Sequence, residues 1–585
     1  MKRERDLRGK VKLKVLNPRG RVSESNRIMP APRLRTFNEK KIAVLINTES
    51  DKHDRFVSAL GDALKNRFPM MGLETWRMPY ALSSEQKKPV LERIANQSDA
   101  VVALMGDSGS CAAKTATDLV DLERRGKPTV FLVLRYFELT ARVSARTLGL
   151  PEMRLLGLRM LLSHSPAEGE SVHLDETLID GLVSSLTEEF SSMEGNGDSV
   201  NRPLVFQGRD LLEAAESMEK HFLHHCWSDG FPLKPPTPGA VRRMIAGAGL
   251  PADHSIGIMM PGGAEATIEK IAINAVMAGC LPQDMPVLVA AVEAIMDPRF
   301  DLLGIQCTAG MVSPFLLISG KTLIEQMNIN DSYSTLGPGW RANATIGRAL
   351  RLIMINIGHA WPGNPDMKAI GSPFKYVMLM AENEKVYQGT WESIRVAEGF
   401  RHDQHTISVM PAVTWQVRFI PSHLAKMDHL VSFIGKLAQT KNDNVAGNWG
   451  MDNLILFNWT AFDIIRREGH SRDQVQRMIY EEAQQPWREF FYGQEPSVKA
   501  SPLGIPEEIV ARCRADSNAK VPIFRQPENI KMVGAGAEGY GTGMIVYIST
   551  WGYGPAHFVT KPIKLPMDWE KILDRNKGWE TPILT

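Results

Sequence analysis

Between Lys41 and about residue 192, short apolar runs alternate with segments whose apolar residues recur at helical spacing. The runs predict strands at 42–48, 73–79, 99–105, 128–134 and 153–158, and the periodic segments predict helices at 54–68, 84–96, about 111–125, about 136–148 and 175–190. Continuous apolar strands separated by amphipathic helices are typical of a parallel sheet that is covered on both faces. We therefore predict a doubly wound α/β domain of the flavodoxin or Rossmann type over 41–192.

The remainder of the chain, 207–585, has a less regular pattern and follows a Gly/Asn/Ser-rich linker at 192–206. The pattern predicts helices at 211–227, 341–357, 460–469 and 471–485, a helix pair within 268–296, and strands at 302–310, 314–320 and 454–458. These elements indicate a large α/β or α+β region, and its division into two subdomains is left open.

Composition places the chain among ordinary soluble globular proteins, with 43% hydrophobic and 23% charged residues. No apolar run is long enough for a transmembrane helix, and the N-terminus lacks the apolar centre of a signal peptide. The five cysteines are an odd and sparse set, so we expect free thiols and a cytoplasmic location rather than disulfides.

Charge is unevenly distributed along the chain. Residues 1–41 carry an excess of ten positive charges, although the whole chain has a net charge of +2. Because this arm has a single aromatic residue, Phe37, and so no interleaved set for base stacking, we interpret 1–40 as a partly disordered basic leader and expect neither a nucleic-acid nor a membrane partner. Formation of a homo-oligomer is left open.

The most informative motif follows the predicted strand at 99–105. Ser110 is expected to cap the next helix, which puts Cys111 at its first position. A helix N-terminus stabilises a thiolate, and the loop formed by Asp107, Ser108 and Gly109 can offer amides and hydroxyls to an anion. A capped turn with an inert, buried cysteine explains the same residues equally well.

This stretch resembles the UGSC family of (seleno)proteins, named for a Sec-Gly-Ser-Cys motif at a strand–helix junction. The resemblance covers about residues 12–190 and includes 15–20, 31–47 and 118–130 beside the motif. It implies redox chemistry or thiol chemistry at this junction. Residues from about 226 onward resemble long proteins that carry or accompany UGSC domains, which implies an architecture but no mechanism.

The chain departs from the family motif at its first position, where Ser108 stands in place of selenocysteine or cysteine. A serine cannot form a disulfide with Cys111, and it is a weak nucleophile unless a base lies beside it. Dithiol cycling within the motif is therefore excluded. Single-thiol chemistry at Cys111 remains, as does a site in which Ser108 and Ser110 only bind.

Two further segments offer candidate binding or catalytic groups. The predicted helix at 341–357 starts with Arg341, Asn343 and Thr345, which can clamp an anionic substrate group, although a solvated basic face is an equally good interpretation. Upstream, Ser228 and Asp229 lie at the start of an irregular loop, where Asp229 can serve as a general base.

Cofactor signals are weak. His221 and His225 have a metal-ligand spacing, but packing and capping are the favoured interpretation, so zinc is the minor alternative; the pair His402 and His405 is a weaker signal still. Residues 533–543 match a dinucleotide-binding glycine pattern, yet a strand and not a helix is predicted to follow. We expect neither NAD nor another cofactor.

Taken together, these features predict an enzyme that acts on a small anionic metabolite in a cleft between the two regions. Its chemistry at Cys111 would be thiol-dependent redox or cleavage of a carbon–heteroatom bond. One alternative is a non-redox lyase or hydrolase that uses Asp229 or a histidine as its base and the Ser-Gly-Ser-Cys loop as an anion holder. Another is a non-catalytic subunit of a larger complex.

Overall fold

The computed structural model describes residues 11–22, 27–47, 53–79, 82–104, 108–158, 174–189, 202–376, 378–421, 425–439, 449–491, 493–498, 501, 503–537, 542–550 and 556–579. Most of the predicted linker and Asp107 lie outside these ranges. Among the described residues, no helix combines the length and apolar character that crossing a membrane requires.

The N-terminal region is built from alternating strands and helices, as predicted. Its elements are β1 (Val11–Val15), β2 (Lys41–Ile46), α1 (Asp54–Arg67), β3 (Gly72–Arg77), α2 (Ser84–Gln97), β4 (Ala100–Leu104), α3 (Gly109–Arg124), β5 (Thr129–Leu134), α4 (Glu138–Thr147), β6 (Leu155–Leu158) and α5 (Glu176–Thr187). Strands β2 to β6 form a parallel sheet in the order β3-β2-β4-β5-β6.

Both faces of this sheet are covered by helices, because successive side chains of a strand point to opposite faces. Along β2, Ala43 and Leu45 pack in the core that contains α2, α3 and α4. Ile42 and Val44 pack in the opposite core with α1 and α5. The prediction of a doubly wound parallel sheet is confirmed.

The basic arm differs from the predicted leader over its described part. Strand β1 pairs antiparallel with β7 (Leu204–Gly208), which belongs to the larger region. Further along, the Lys270 Nζ donates to the Asn17 carbonyl at 2.9 Å, and the Gly20 N–H donates to the Asn356 carbonyl at 3.0 Å. Residues 11–22 are therefore ordered against the larger region, because their backbone groups find partners there.

The larger region mixes helices and strands along the chain. Its elements after β7 are α6 (Leu211–His224), α7 (Pro238–Ala248), β8 (Ser255–Met259), β9 (Ala264–Thr267), α8 (Ile268–Ala278), α9 (Met285–Met296), α10 (Leu302–Cys307), β10 (Ser313–Ser319), α11 (Lys321–Gln326), α12 (Arg341–Asn356), β11 (Trp361–Pro362), β12 (Pro365–Asp366), β13 (Leu379–Ala381), α13 (Ile394–Ala397), β14 (Thr406–Pro421), α14 (Met427–Gln439), β15 (Asn453–Phe457), α15 (Trp459–Glu468), α16 (Arg472–Glu482), β16 (Gln484–Pro486), α17 (Trp487–Phe490), α18 (Glu507–Ala515), β17 (Lys520–Pro522), β18 (Ile530–Gly534), β19 (Thr542–Thr550), β20 (Val559–Pro562) and α19 (Trp569–Arg575).

A mixed sheet organises this region. Its strands follow the order β13-β10-β14-β19-β15-β18, and β20 also pairs with β14. The pairs β10/β13 and β15/β18 are parallel, whereas β14 is antiparallel to β10, β19 and β20. Helices α8, α9 and α12 share one buried core with β10. The prediction of a larger α/β region is confirmed.

One predicted strand is wrong. Residues 302–310 were expected to be extended, but Leu302–Cys307 form the helix α10. A short apolar run does not distinguish a strand from a buried helix by periodicity alone. The deciding feature is Asp301, whose side chain accepts a hydrogen bond from the Gly304 N–H and so caps the helix.

Candidate functional site

The strand order identifies a crevice beside β4. From β2 the chain moves outward to β3 and then crosses back to β4, so the direction of winding reverses between β2 and β4. In open α/β sheets, ligands bind beyond the carboxyl ends of the strands at such a switch point. The helix that begins after β4 is α3, and it carries the Ser-Gly-Ser-Cys motif at its start.

Ser108, and not Ser110, caps this helix. Ser108 has an extended backbone, and its Oγ accepts from the Cys111 N–H at 3.4 Å. Helix α3 begins at Gly109, so the prediction of Ser110 as the cap is wrong and Cys111 lies at the third helical position. Both serines suit a cap by residue type, so the backbone conformation decides between them.

The three side chains of the motif form a compact polar group. The Ser108 Oγ shares a hydrogen bond of 2.9 Å with the Cys111 Sγ and one of 3.1 Å with the Ser110 Oγ. Cys111 is 4% exposed and Ser110 is 3% exposed, so water is largely excluded from the thiol. The sulfur therefore has a hydroxyl beside it at the positive end of a helix dipole.

Backbone amides are available at the same place. The Gly109 and Ser110 N–H groups precede the first intrahelical hydrogen bond, and no residue among the described ranges accepts from them. Nearby, the Asn47 side chain at the end of β2 donates to the Thr115 hydroxyl at 2.8 Å and ties α3 to the neighbouring strand. Unpaired amides at a helix start form a site that favours an anion.

The motif also touches the larger region. A Cβ atom placed on Gly109 would lie 2.1 Å from the Cys307 carbonyl oxygen and 3.0 Å from the Met367 Cγ. One turn further along α3, the Lys114 Nζ pairs with Asp301 at 2.7 Å. The start of α3 and the end of α10 are therefore in direct contact, and Gly109 is the residue that permits it.

A cavity of about 620 Å³ continues from this contact between the two regions. Lys114, Thr117 and Asp118 of α3 line one side, and residues 296–299 and 301–303 line the other. Asp118 is paired with Lys87 at 2.8 Å, and burial raises the pKa of this carboxyl. A cavity of this size can hold a small molecule.

A buried charge cluster lies behind α10, and sequence reasoning missed it. Asp366 pairs with Lys368 at 3.3 Å and also with Lys375. Burial raises the pKa of Asp366, but the two lysines outweigh burial and leave it below its usual value. Burial lowers the pKa of Lys368 to about 8. These residues occupy an irregular segment without periodicity, so no sequence signal distinguished them from solvated loop charges.

Lys368 connects this cluster to the motif. Its Nζ donates to the Ile305 carbonyl at 2.8 Å and to the Gln306 carbonyl at 3.3 Å. It therefore caps the C-terminus of α10, the same turn that meets Gly109. Burial also raises the pKa of the Cys307 thiol, which keeps that thiol protonated and inert.

Asp229 has a fixed partner. Its two carboxylate oxygens accept from Arg348 at 2.7 and 2.9 Å, and its side chain is 2% exposed. The neighbouring Ser228 Oγ accepts from the Gly230 N–H at 3.0 Å. A carboxylate held by both oxygens in an arginine fork is set up to position the loop, and this pairing argues against a free general base.

The start of α12 does not form one anion clamp. Asn343 is 3% exposed, and its side chain bonds the backbone of Asn330 and Thr335. The Thr345 hydroxyl donates to the Arg341 carbonyl at 3.0 Å, within the helix. Of these three residues only Arg341 borders a described cavity; it donates to the Gly279 carbonyl at 2.6 Å and lies 4.3 Å from the Trp579 ring centre.

The histidines after α6 pack on one another. The His221 and His225 ring centres are 4.0 Å apart, and each ring also lies against Trp227. The His225 Nδ1 lies 2.8 Å from the His221 carbonyl oxygen. Within the described ranges, no three His, Cys, Asp or Glu side chains are grouped as metal ligands.

The geometry of the motif can now be set beside known proteins. Residues 14–188 match the family model of the UGSC family. This UGSC region contains the parallel sheet, α3 and the Ser-Gly-Ser-Cys turn, and it starts inside β1, the strand that pairs with the larger region. No curated protein matches the chain.

Proposed function

We propose that the chain is an enzyme that acts on a small anionic substrate, with the Cys111 thiol as its reacting group. The observation that carries this proposal is the position of the Cys111 Sγ, 2.9 Å from the Ser108 Oγ at the start of α3. This start follows β4 at the switch point of the UGSC sheet, where ligands of open α/β folds bind.

The substrate class follows from the groups around the sulfur. The Gly109 and Ser110 amides favour a negative charge, and the helix dipole adds to them. The cavity between the regions starts one helical turn away at Lys114. A substrate with a carboxylate or similar anion can therefore bind to the amides while its reactive atom faces the sulfur.

The chemistry is a nucleophilic substitution by the thiolate. The sulfur electron pair forms a bond to an electrophilic sulfur or carbon of the substrate, a heteroatom leaves with the pair of electrons of the broken bond, and the thiol proton is taken up by that leaving group. The Ser108 hydroxyl is placed to donate a hydrogen bond to the thiolate. Since Ser108 cannot form a disulfide, an external thiol or water must release the adduct.

The experiment compares two cysteines of similar burial. Cys111 is 4% exposed and Cys280 is 6% exposed, and burial raises the pKa of Cys280 well above its usual value. In a Cys226→Ser background, which removes the half-exposed thiol, Cys111 should be alkylated by iodoacetamide at least about tenfold faster than Cys280 at pH 7.5. Equal or slower labelling of Cys111 would contradict the proposal.

A second measurement tests the preference for anions. Cys111 should react faster with a disulfide probe that carries carboxylates than with a neutral aromatic disulfide. The ratio of these two rates should be larger for Cys111 than for free cysteine. Ser108→Ala should slow both reactions modestly, on the order of one lost hydrogen bond or about 1 kcal/mol, because it leaves the sulfur in place. Cys111→Ser should abolish both reactions. If this variant still reacted with the same preference for the anionic probe, the reacting thiol would be a different cysteine.

A further inference from the structure

A second cavity, here called the basic cavity, lies beside the turn that Arg341 of α12 contacts through the Gly279 carbonyl. It has a volume of about 630 Å³ and is formed by α7, the turn at 279–282 and α19. Four cationic residues line it: Lys234, Arg242, Arg243 and Arg575. None of the described residues that line it is an aspartate or a glutamate.

The arginines of this cavity lack partners within the part of the chain that the structure describes. The structure shows no hydrogen bond or ion pair from the side chain of Arg242, Arg243 or Arg575 to any described residue. Arg242 and Arg243 converge over Gly239 in the first turn of α7, where their Nη atoms lie 4.0 and 3.8 Å from the position of an added Cβ. Both guanidiniums thus point back toward the positive end of the helix dipole.

Two cations also lie close together at Trp579, a residue that lines the cavity. Lys234 and Arg341 both approach the Trp579 ring, at 5.4 and 4.3 Å from its centre. Burial lowers the pKa of Lys234, and the charge of Arg341 lowers it further. An anion that enters this cavity would reduce the repulsion among these cations.

We propose that the basic cavity binds a small molecule that carries a diphosphate or two phosphoryl groups. A single carboxylate would neutralise one of the four cations, whereas each phosphoryl group brings a charge of about −1.5 to −2 and three acceptor oxygens. Guanidiniums suit these oxygens because they donate in a bidentate manner. This site is separate from the function proposed for Cys111, since α7, the 279–282 turn and α19 contribute no residue of the Cys111 site.

The test is calorimetric titration of the full-length protein with inorganic pyrophosphate at 0.15 M salt. We expect a dissociation constant below about 100 µM, binding of citrate that is at least about tenfold weaker, and a loss of affinity as salt rises. The double variant Arg242→Gln/Arg243→Gln should weaken pyrophosphate binding by about tenfold or more. Absence of pyrophosphate binding, or equal binding of citrate, would overturn the proposal.

A matched control lies on α19. Lys571 is exposed and does not line the basic cavity, so Lys571→Gln removes the same charge as Arg575→Gln from the same helix. Arg575→Gln should weaken binding and Lys571→Gln should leave it within about twofold. If both variants weaken binding equally, the effect reflects overall charge and the proposal is wrong. Arg575→Gln also replaces the double variant if that protein fails to fold.

Discussion

Gly109→Ala tests the contact between the UGSC region and the larger region with a single methyl group. The added Cβ would lie 2.1 Å from the Cys307 carbonyl oxygen, and a normal carbon–oxygen contact is about 3.3 Å or more, so the groups must separate by about 1 Å. The carbonyl has little freedom to move, because Lys368 holds the preceding carbonyls of Ile305 and Gln306.

Two opposing effects set the change in the free energy of unfolding that Gly109→Ala causes. Forcing an extra carbon into a packed site costs about 1–3 kcal/mol. Replacing glycine by alanine in a helix interior gains up to about 1 kcal/mol, and less in the first turn, where fewer intrahelical bonds are at stake. With a gain of about 0.5 kcal/mol subtracted from this repulsion, we expect Gly109→Ala to lower the free energy of unfolding by about 0.5–2.5 kcal/mol.

Gly61→Ala provides the matched control in the same region. Gly61 lies within α1, and an added Cβ would meet only the Leu73 Cδ1, at 4.0 Å. This variant should gain about 0.5–1 kcal/mol from helix propensity alone. Both free energies are measured by urea denaturation followed by tryptophan fluorescence. If Gly109→Ala were stabilised as much as Gly61→Ala, the close approach of α3 to α10 would be refuted.

Three further changes have definite expected outcomes. Asp229→Asn leaves Arg348 without a counter-ion and should cost about 3 kcal/mol in urea denaturation, and a cost below about 1 kcal/mol would contradict the bidentate pair. Asn343→Ala removes three hydrogen bonds to the 330–335 loop and should cost about 3 kcal/mol while speeding proteolysis in that loop; unchanged proteolysis would show that other contacts hold it. Burial raises the pKa of Asp284 to about 6, so the folded protein holds this proton more tightly than the unfolded chain does, and the stability it contributes is lost as pH rises from about 4 to about 6. Relative to Asp284→Asn, the wild type should lose up to about 3 kcal/mol across that window, and a flat difference between the two proteins would refute the shift.

The N-terminal fold was predictable because its signals are local. Each strand of the sheet is a short apolar run, and each helix has an apolar face and a recognisable start or stop, such as the Ser83 capping box before α2. Predicted and observed bounds of these elements differ by only a few residues. The cap at Ser108 was misplaced because two serines stand two positions apart, and only the backbone conformation separates them.

The candidate site was predictable only in its motif, because the remaining groups are brought together by tertiary contacts. Lys114 and Asp301 are 187 residues apart in sequence, and Arg348 and Asp229 are 119 residues apart. Arg341 and Thr345 lie one turn apart on the same face of α12, beside Gly279, whereas Asn343 points away from them and bonds the backbone of Asn330 and Thr335. Spacing within one segment therefore could not reveal which cations remain unpaired.

Ser108 links the motif to the chemistry that the chain can still perform. Its Oγ lies 2.9 Å from the Cys111 Sγ, so the turn keeps the two side chains as close as a dithiol pair would need while supplying oxygen in place of a second sulfur or a selenium. An oxygen there can cap the helix and donate a hydrogen bond to a thiolate, but it cannot accept the sulfur as a disulfide partner. The other thiol near the turn, Cys307, is fully buried, and its raised pKa keeps it protonated. Any covalent adduct on Cys111 must therefore be released by a group that enters from outside the motif.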